Sequence, residues 1–456
     1  MVANIEQLRS VVRGKVIVSG DRGYDRAREG WNKNIDQRPA VIVQPRTSED
    51  VATAIRHAAR WSMPVAVQST GHGAMLPCDG GMLLETSGMD AISINAERRI
   101  ARVEPGVRWK AAMQAAQQHG LAGRAGFNPT VGVVGYSLGG GWGWLSRRHG
   151  LACDHVVAAD LVLADGSTTR TSADENPDLL WALRGGGGDV GVVTALEFSL
   201  VPLASAYGGG LSFPLDRARE LVAMFAQETA NADARLTAAI RLSRVPPDTL
   251  VAKLFGGRPG VEVMLCFLGG EDEGKELTRR WVNAGPAHGT LKPIETGDLG
   301  DIEGPPAKGA KSVQIGEQLA RLDGDAIEAL VSRFEPDDAP VFLTELRHIG
   351  GASAVPGDAV LDRREGEYLL HLEAGAKDDE ERQAAAAWLD GTRAMIEPAL
   401  TGSAALGFTG DGDRGLSAAR RAYSDEHHVR WAGIKRRYDP DNRFRFNVGA
   451  GAGARP

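Results

Sequence analysis

The run Val65-Ala66-Val67-Gln68-Ser69-Thr70-Gly71-His72-Gly73 constrains this chain more than any other stretch. Its first residues alternate as a half-buried strand does, and the strand ends in a histidine with glycine on each side. Glycine lacks a Cβ, so backbone beside His72 is free to take positive φ or to approach a flat ligand closely. An imidazole is thereby carried at the mouth of a strand. Taken alone, the same residues also describe a histidine in an ordinary turn, and the rest of the chain has to decide.

The elements around it form a unit. Arg38-Pro39-Ala40-Val41-Ile42-Val43-Gln44-Pro45 predicts a short apolar strand bounded by prolines. Thr47 is placed to cap a helix, with Asp50 in its first turn and Val51, Ile55 and Ala58/Ala59 as the inward stripe. Pro64 ends that helix, so strand, helix and strand together deliver His72. Upstream, residues 24–28 predict a helix leading to Trp31. Downstream, residues 82–84 and 100–103 predict strands, and a helix after Gly106 carries Val107, Ala111 and Ala115 on one face before stopping at Gly120.

Residues 126–143 are too apolar for a flexible linker and too rich in glycine for a regular element. Such a segment suits backbone N–H groups pressed against an anion or a planar ligand. A hairpin then turns on Asp165-Gly166. Asn176 and Pro177 open a helix striped by Leu179, Leu180 and Leu183, which Gly185 to Gly188 end, and residues 192–200 read as a strand.

Near Pro202 the texture changes. Strands are expected over 261–268, 341–349 and 368–373, and helices over 218–229, 275–283, 326–334 and 379–396. Elements segregated in this way predict a second α+β domain on an antiparallel sheet. Residues 295–310 read as a loop bordering a pocket, and the aromatic tail 438–447 as docked.

Size and composition exclude several classes. A chain of 456 residues is expected to form about two or three domains. A formal net charge of −7 argues against nucleic acid or an anionic membrane as partner. Cys78, Cys153 and Cys266 are odd in number and widely spaced, which fits neither a disulfide framework nor a zinc site. No basic segment followed by an apolar run opens the sequence, and a cytoplasmic protein without a metal is expected. The oligomeric state is left open, a homodimer being one option.

Two nucleotide and hydrolase patterns are decoys. Gly186-x-Gly188-x-x-Gly191 follows a helix and precedes a strand, the reverse of a dinucleotide fold. Gly135-Tyr136-Ser137-Leu138-Gly139 is followed by Gly140-Gly141, a poor start for the helix that a nucleophile elbow needs. His427 and His428 are neighbours that point to different faces of a helix, so a solvated face is expected of them.

What remains is a joint pattern: Gly71-His72-Gly73, Pro129-Thr130-Val131-Gly132 with Gly139-Gly140-Gly141, the run Trp181-Ala182-Leu183-Arg184-Gly185-Gly186-Gly187-Gly188, and Tyr438-Asp439-Pro440-Asp441-Asn442. In this order and spacing the chain resembles the flavin-linked oxidases of the vanillyl-alcohol-oxidase (PCMH-type) superfamily, berberine-bridge-enzyme-like branch. Its length and its N-terminal Tyr24…Trp31-Asn32…Arg38-Pro39-Ala40 resemble bacterial biosynthetic members such as the enterocin favorskiiase.

That resemblance implies an α+β fold: a PCMH-type FAD-binding domain over 1–203, an inserted substrate domain over 204–403 on an antiparallel sheet flanked by helices, and a return to the FAD domain over 404–456. It implies FAD joined through its 8α-methyl to His72. Ser69, Thr70, Gly71, Gly73, Asn128, Pro129, Thr130, Val131, Gly132, Gly139, Gly140, Gly141, Gly191, Val192 and Asn447 match positions around the cofactor. Many relatives carry a cysteine bonded to flavin C6 where this chain has Asn128, so a single covalent link is expected. Val131 fits the small residue that leaves O2 a path to the flavin.

The expected activity is oxidation of a secondary-metabolite intermediate by hydride transfer to the flavin, with O2 as oxidant or oxygen donor. The alternative is a flavin-scaffold cyclase or isomerase without net redox turnover, suggested by departures such as Gln68 for an arginine and Ala405-Leu406-Gly407-Phe408 for a more polar motif. Period-two alternation places Leu343, Glu345 and Arg347 on one face of their strand and Thr344, Leu346 and His348 on the other. Glu345 aligns with an acidic residue over the flavin in those relatives, where desolvation would raise its pKa and make it a base. A surface pair with Arg347 is the alternative. His348, Tyr368 and His371 are the other candidates for proton transfer.

Overall fold

The computed structural model describes residues 5–73, 76–244, 253–304, 309–410 and 416–446. The strand Val65–Gln68 lies at the edge of a four-stranded sheet, parallel to Met82–Glu85, which is in turn parallel to Val41–Gln44; Lys15–Ile17 completes it antiparallel. Helix Ser48–Arg60 makes the crossover. Thr47 caps it, its side chain accepting from the Asp50 N–H, and Val51, Ile55 and Ala58 are buried against the sheet. A second sheet, in the order Ile92–Asn95, Ile100–Val103, Val192–Ser199, Val156–Val162, Thr168–Ser172, is antiparallel throughout. The hairpin at its edge pairs Val162 with Thr168, and the Asp165 carboxylate takes the Ser167 N–H at 2.8 Å.

Among the described residues the third sheet has nine strands, all from residues 205–404. Its central order is Ser205–Pro214, Gly260–Phe267, Leu236–Ser243, Val341–His348, Tyr368–Gly375, Ser312–Leu319, Leu400–Ala404, with every pairing antiparallel. Helices Ala218–Thr229, Gly324–Phe334 and Asp379–Met395 cover one face and share an apolar core with it through residues such as Phe225, Phe334, Leu346, Leu370 and Leu389. The other face turns toward the glycine-rich segment of the first half, so the chain is α+β as expected.

Several local expectations are corrected. Helix Trp109–Gln117 buries Trp109, Ala112, Met113 and Ala116 and leaves Ala111 exposed. Its rotation is set by Trp109, which meets Tyr136 and Phe198 edge to face. The glycine-rich segment contains one regular turn, helix Val133–Leu138, because Val133, Val134 and Leu138 find a core, with Tyr136 packed against it. Asn176 precedes its helix in a left-handed conformation and its side chain makes no cap bond; it donates to Thr169 Oγ1 and the Arg170 carbonyl. Residues Thr296–Glu303 form 3-10 turns within the expected loop. Strand Ser205–Pro214, which runs through Gly208-Gly209-Gly210, was not among the expected strands. Gly208 and Gly209 are needed for close approach, since a Cβ on them would stand 2.4 Å from the Leu265 carbonyl oxygen and 2.5 Å from that of Thr290.

Candidate active site

His72 leaves its strand in a tight turn. Gly71 has φ +74°, and a Cβ there would stand 3.0 Å from Gly30 Cα. The Gly71 carbonyl takes the Trp31 N–H at 3.1 Å, which brings the indole over the imidazole, with ring centroids 4.1 Å apart and planes inclined by 21°. Nδ1 of His72 lies 2.9 Å from Thr70 Oγ1 and Nε2 3.3 Å from Thr130 Oγ1. Burial first, then the charge of Arg108, pulls the His72 pKa down to about 4, so the ring is neutral at pH 7.

The segment Asn128–Gly132 faces this histidine. Asn128 Oδ1 takes the Thr130 N–H at 2.9 Å and the Thr130 hydroxyl at 2.7 Å, an Asx turn that fixes the threonine. Pro129 is buried, packed where Gly300 leaves it room. Ser69 Oγ is buried without a partner among the described residues and would lie 3.5 Å from a Cβ on Gly132. Beside Gly73 and Gly135, by contrast, a Cβ would meet nothing within 4 Å. An orphaned hydroxyl, a neutral imidazole and open space beside glycine backbone fit a flavin at this point.

Other expected contacts are placed differently. Gly140 and Gly141 have φ of +112° and +83°, and a Cβ on them would strike Leu361 at 2.8 Å and Ala152 at 2.6 Å. Their first requirement is thus protein packing, whereas Gly139 has no neighbour nearer than 3.4 Å. Gly191 sits 3.1 Å, measured from its would-be Cβ, from the Val162 carbonyl oxygen, and the Val192 side chain is in the core beneath helix Ser48–Arg60, so only their backbone is left to meet a ligand. Asn447 lies outside the described residues. Gln68 does not stand in for the charge of an arginine: it donates to the Glu29 carbonyl and accepts from Gln37, tying the Trp31 segment to the strand.

The sheet of the second half presents a row of charged groups to the same region. Cross-strand register aligns Glu262, Arg241, Glu345 and His371 on one face. Glu345 is fully buried, takes Arg241 Nε at 2.6 Å and is bonded to Arg347 Nε. Arg347 also reaches Glu303 at 3.0 Å, and its guanidinium lies 4.1 Å from the centre of the Phe127 ring and 5.0 Å from that of Phe408. Phe127 directly precedes Asn128, so this arginine joins the cluster to the glycine-rich segment. The turns Thr296–Glu303 bring Glu303 in, anchored by Lys110 to Asp298 at 3.2 Å and to Asp301 at 3.3 Å.

The electrostatics overturn the expectation for Glu345. Burial alone would raise its pKa, but the two arginines outweigh burial and hold it below the usual carboxylate range. The pair with Arg347 exists, yet it is buried, not on the surface. Burial does raise Glu303, against the opposing pull of Arg347 and Arg241, and it raises Glu262 and Glu373 as well. Glu373 takes a hydrogen bond from Ser312 at 2.5 Å. Burial, then the arginines, lower His371 to about 4; its Nε2 lies 3.3 Å from Gln314 Oε1 and its ring faces Phe408.

His348 and Tyr368 are not brought to this face. Alternation turns Tyr368 toward the helices, where its hydroxyl meets Thr229 Oγ1 at 2.8 Å and its ring packs near Phe225. His348 Nε2 is bonded by Arg147 Nη1 at 2.6 Å, and burial lowers its pKa to about 3. The His427–His428 pair does not present a solvated face: His427 packs edge to face on Trp181, with Nδ1 3.1 Å from the Val360 carbonyl oxygen. Sequence reading missed Arg241, Glu262, Glu303 and Glu373. Its available signal was a lone charge inside an otherwise apolar strand, as in Leu236-Thr237-Ala238-Ala239-Ile240-Arg241-Leu242, because such a charge is buried only with partners.

Residues 39–172 match the family described as FAD binding domain. The chain is 28% identical over 448 residues to (R)-6-hydroxynicotine oxidase of Paenarthrobacter nicotinovorans, covering 96% of each chain. The fold is shared with the berberine-bridge-enzyme-like protein 1 of Physcomitrella patens, with a TM-score of 0.82, 21% identity and 98% of each chain covered. It is also shared with glucooligosaccharide oxidase of Acremonium strictum, described with a 6-S-cysteinyl, 8α-N1-histidyl FAD; there the TM-score is 0.82 at 21% identity, covering 98% of this chain and 99% of that one.

Proposed function

The chain belongs to the FAD-linked oxidoreductases of the vanillyl-alcohol-oxidase (PCMH-type) superfamily, and from that premise we propose that it is an oxidase of a secondary-metabolite intermediate, with FAD attached through His72 alone and O2 as oxidant. The observation that carries the reading is the neutral imidazole of His72, clamped by Trp31 and facing the Asn128–Gly132 segment. Bound FAD supplies a two-electron acceptor that O2 restores. The chain's residues do the rest. Asn128 provides no thiol for a second bond, and Val131 leaves a small side chain beside the cofactor site.

On the sheet, Glu345 stays ionised and fixes Arg241 and Arg347, so those guanidiniums orient the substrate. Glu303, whose burial raises its proton affinity, takes the substrate proton. The full-length likeness to an oxidase of hydroxynicotine supports a small, largely apolar substrate. Two measurements test this. The flavin should stay with the acid-precipitated wild-type chain and leave it in His72→Ala. Anaerobic mixing with substrate should bleach the yellow colour and air should restore it; product formed without bleaching would instead favour a cyclase or isomerase.

A further inference from the structure

We propose that Asn128 and Thr130 set the tautomer of His72, holding the proton on Nε2 and leaving Nδ1 as the nitrogen that bonds the flavin. This rests on His72 being the attachment residue. The Thr130 N–H can only donate, so the Asn128 atom 2.9 Å from it is the amide oxygen and not the amide nitrogen. That same oxygen, 2.7 Å from Thr130 Oγ1, has no proton to give, so the threonine hydroxyl spends its one proton on Asn128. Thr130 Oγ1 then meets His72 Nε2, 3.3 Å away, with a lone pair, and Nε2 must carry the hydrogen.

On the other edge of the ring the Thr70 hydroxyl, 2.9 Å from Nδ1, is free to donate to it. The neutral ring has one proton: Thr130 fixes it on Nε2, and the Thr70 hydroxyl, donor or acceptor as required, complements that tautomer by donating to Nδ1. Trp31, stacked on one ring face, holds the plane in which both hydrogen bonds are made. Asn128 and Thr130 are positioning residues: they act through His72.

In the attachment step Nδ1 forms a bond to the flavin 8α-carbon, and one C–H bond of that carbon breaks. The Nε2 proton leaves the imidazole past Thr130. Together, that proton, the proton from the C–H bond and one electron pair leave the isoalloxazine reduced by two electrons. O2 then takes both electrons and both protons as hydrogen peroxide.

The test uses purified full-length holoprotein and reads total bound FAD beside the fraction that stays with the acid-precipitated chain. Thr130→Val, which keeps shape and loses the acceptor, should bind FAD yet retain about tenfold less of it covalently, the weight of a hydrogen bond to a ring that becomes charged. Thr130→Ser and Asn128→Asp, which keep the hydroxyl and the acceptor oxygen, should retain it as wild type does. The histidyl-flavin peptide from wild type should carry the flavin on Nδ1. A wild-type fraction in Thr130→Val, loss of attachment in a FAD-loaded Asn128→Asp chain, or linkage through Nε2 overturns this inference while leaving His72 as the attachment residue. A wild-type chain that releases all its flavin into acid overturns both.

Discussion

Replacing Glu345 by glutamine should destabilise the protein more than any neighbouring change of equal size. The carboxylate is fully buried between Arg241, 2.6 Å away, and Arg347. Removing one partner of a buried ion pair costs about 3 to 5 kcal/mol, because the other charge stays buried without compensation. Here part of that compensation survives: Glu303 is 3.0 Å from Arg347 and 3.5 Å from Arg241, and Glu262 is 3.8 Å from Arg241. The loss therefore falls at the low end, about 3 kcal/mol, which lowers Tm by about 6 to 12 °C for a unit of this size. Thermal unfolding followed by flavin fluorescence at pH 7 measures it.

The pH dependence checks the cause. A carboxylate whose folded pKa lies below its unfolded one adds stability that is fully present above the unfolded pKa and disappears as pH falls through the folded pKa. The difference in Tm between wild type and Glu345→Gln should therefore be constant from pH 8 to pH 5 and shrink only in stronger acid. A variant melting within about 1 °C of wild type at pH 7 would refute the picture of a buried anion held by two arginines, and so would a difference that grows on acidification.

Glu303→Gln should behave oppositely, since its folded pKa is raised: the stability linked to its proton is present at low pH and lost as pH rises, so the variant should melt no lower than wild type at pH 8. Its turnover should nevertheless fall by about a hundredfold, read as the rate of anaerobic bleaching with substrate. Lys435→Met should lower Tm by an amount like that of Glu345→Gln, about 3 kcal/mol, because the buried Lys435 ammonium holds Asp439 at 2.5 Å and the carbonyls of Asp189 and Phe444; differential scanning calorimetry decides it. Covalent uptake of FAD by chain produced without riboflavin should be independent of pH from about 8 to 5 and fall below about 4, where His72 gains a proton and loses its nucleophilic lone pair. A midpoint near 6.5 in that profile would mean an imidazole open to water.

Local chemistry was legible in the sequence because it depends on neighbours a few residues apart. The Thr47 cap, the Asp165-Gly166 turn, the Gly71-His72-Gly73 mouth and the docking of the tail all lie where the residues point. Where a local rule failed, a distant partner had intervened: Trp109 turned its helix to meet Tyr136 and Phe198. The FAD-binding half was readable at the level of motif only through the joint order and spacing of Gly71-His72-Gly73, Pro129-Thr130-Val131-Gly132 and Gly139-Gly140-Gly141, since each of them alone also fits an ordinary turn.

The order of proton affinities in the cluster was not readable. The sequence by itself settled that His72 follows a strand between two glycines and that Glu345 and Arg347 share a face. Only the tertiary structure decided that Arg241, drawn from a strand about a hundred residues earlier, reaches Glu345 and holds its pKa down while burial raises those of Glu303, Glu262 and Glu373. The physical reason is that a side chain's charge state depends on desolvation and on Coulomb partners within a few ångströms, and sheet register assembles those partners from segments that have no relation along the chain.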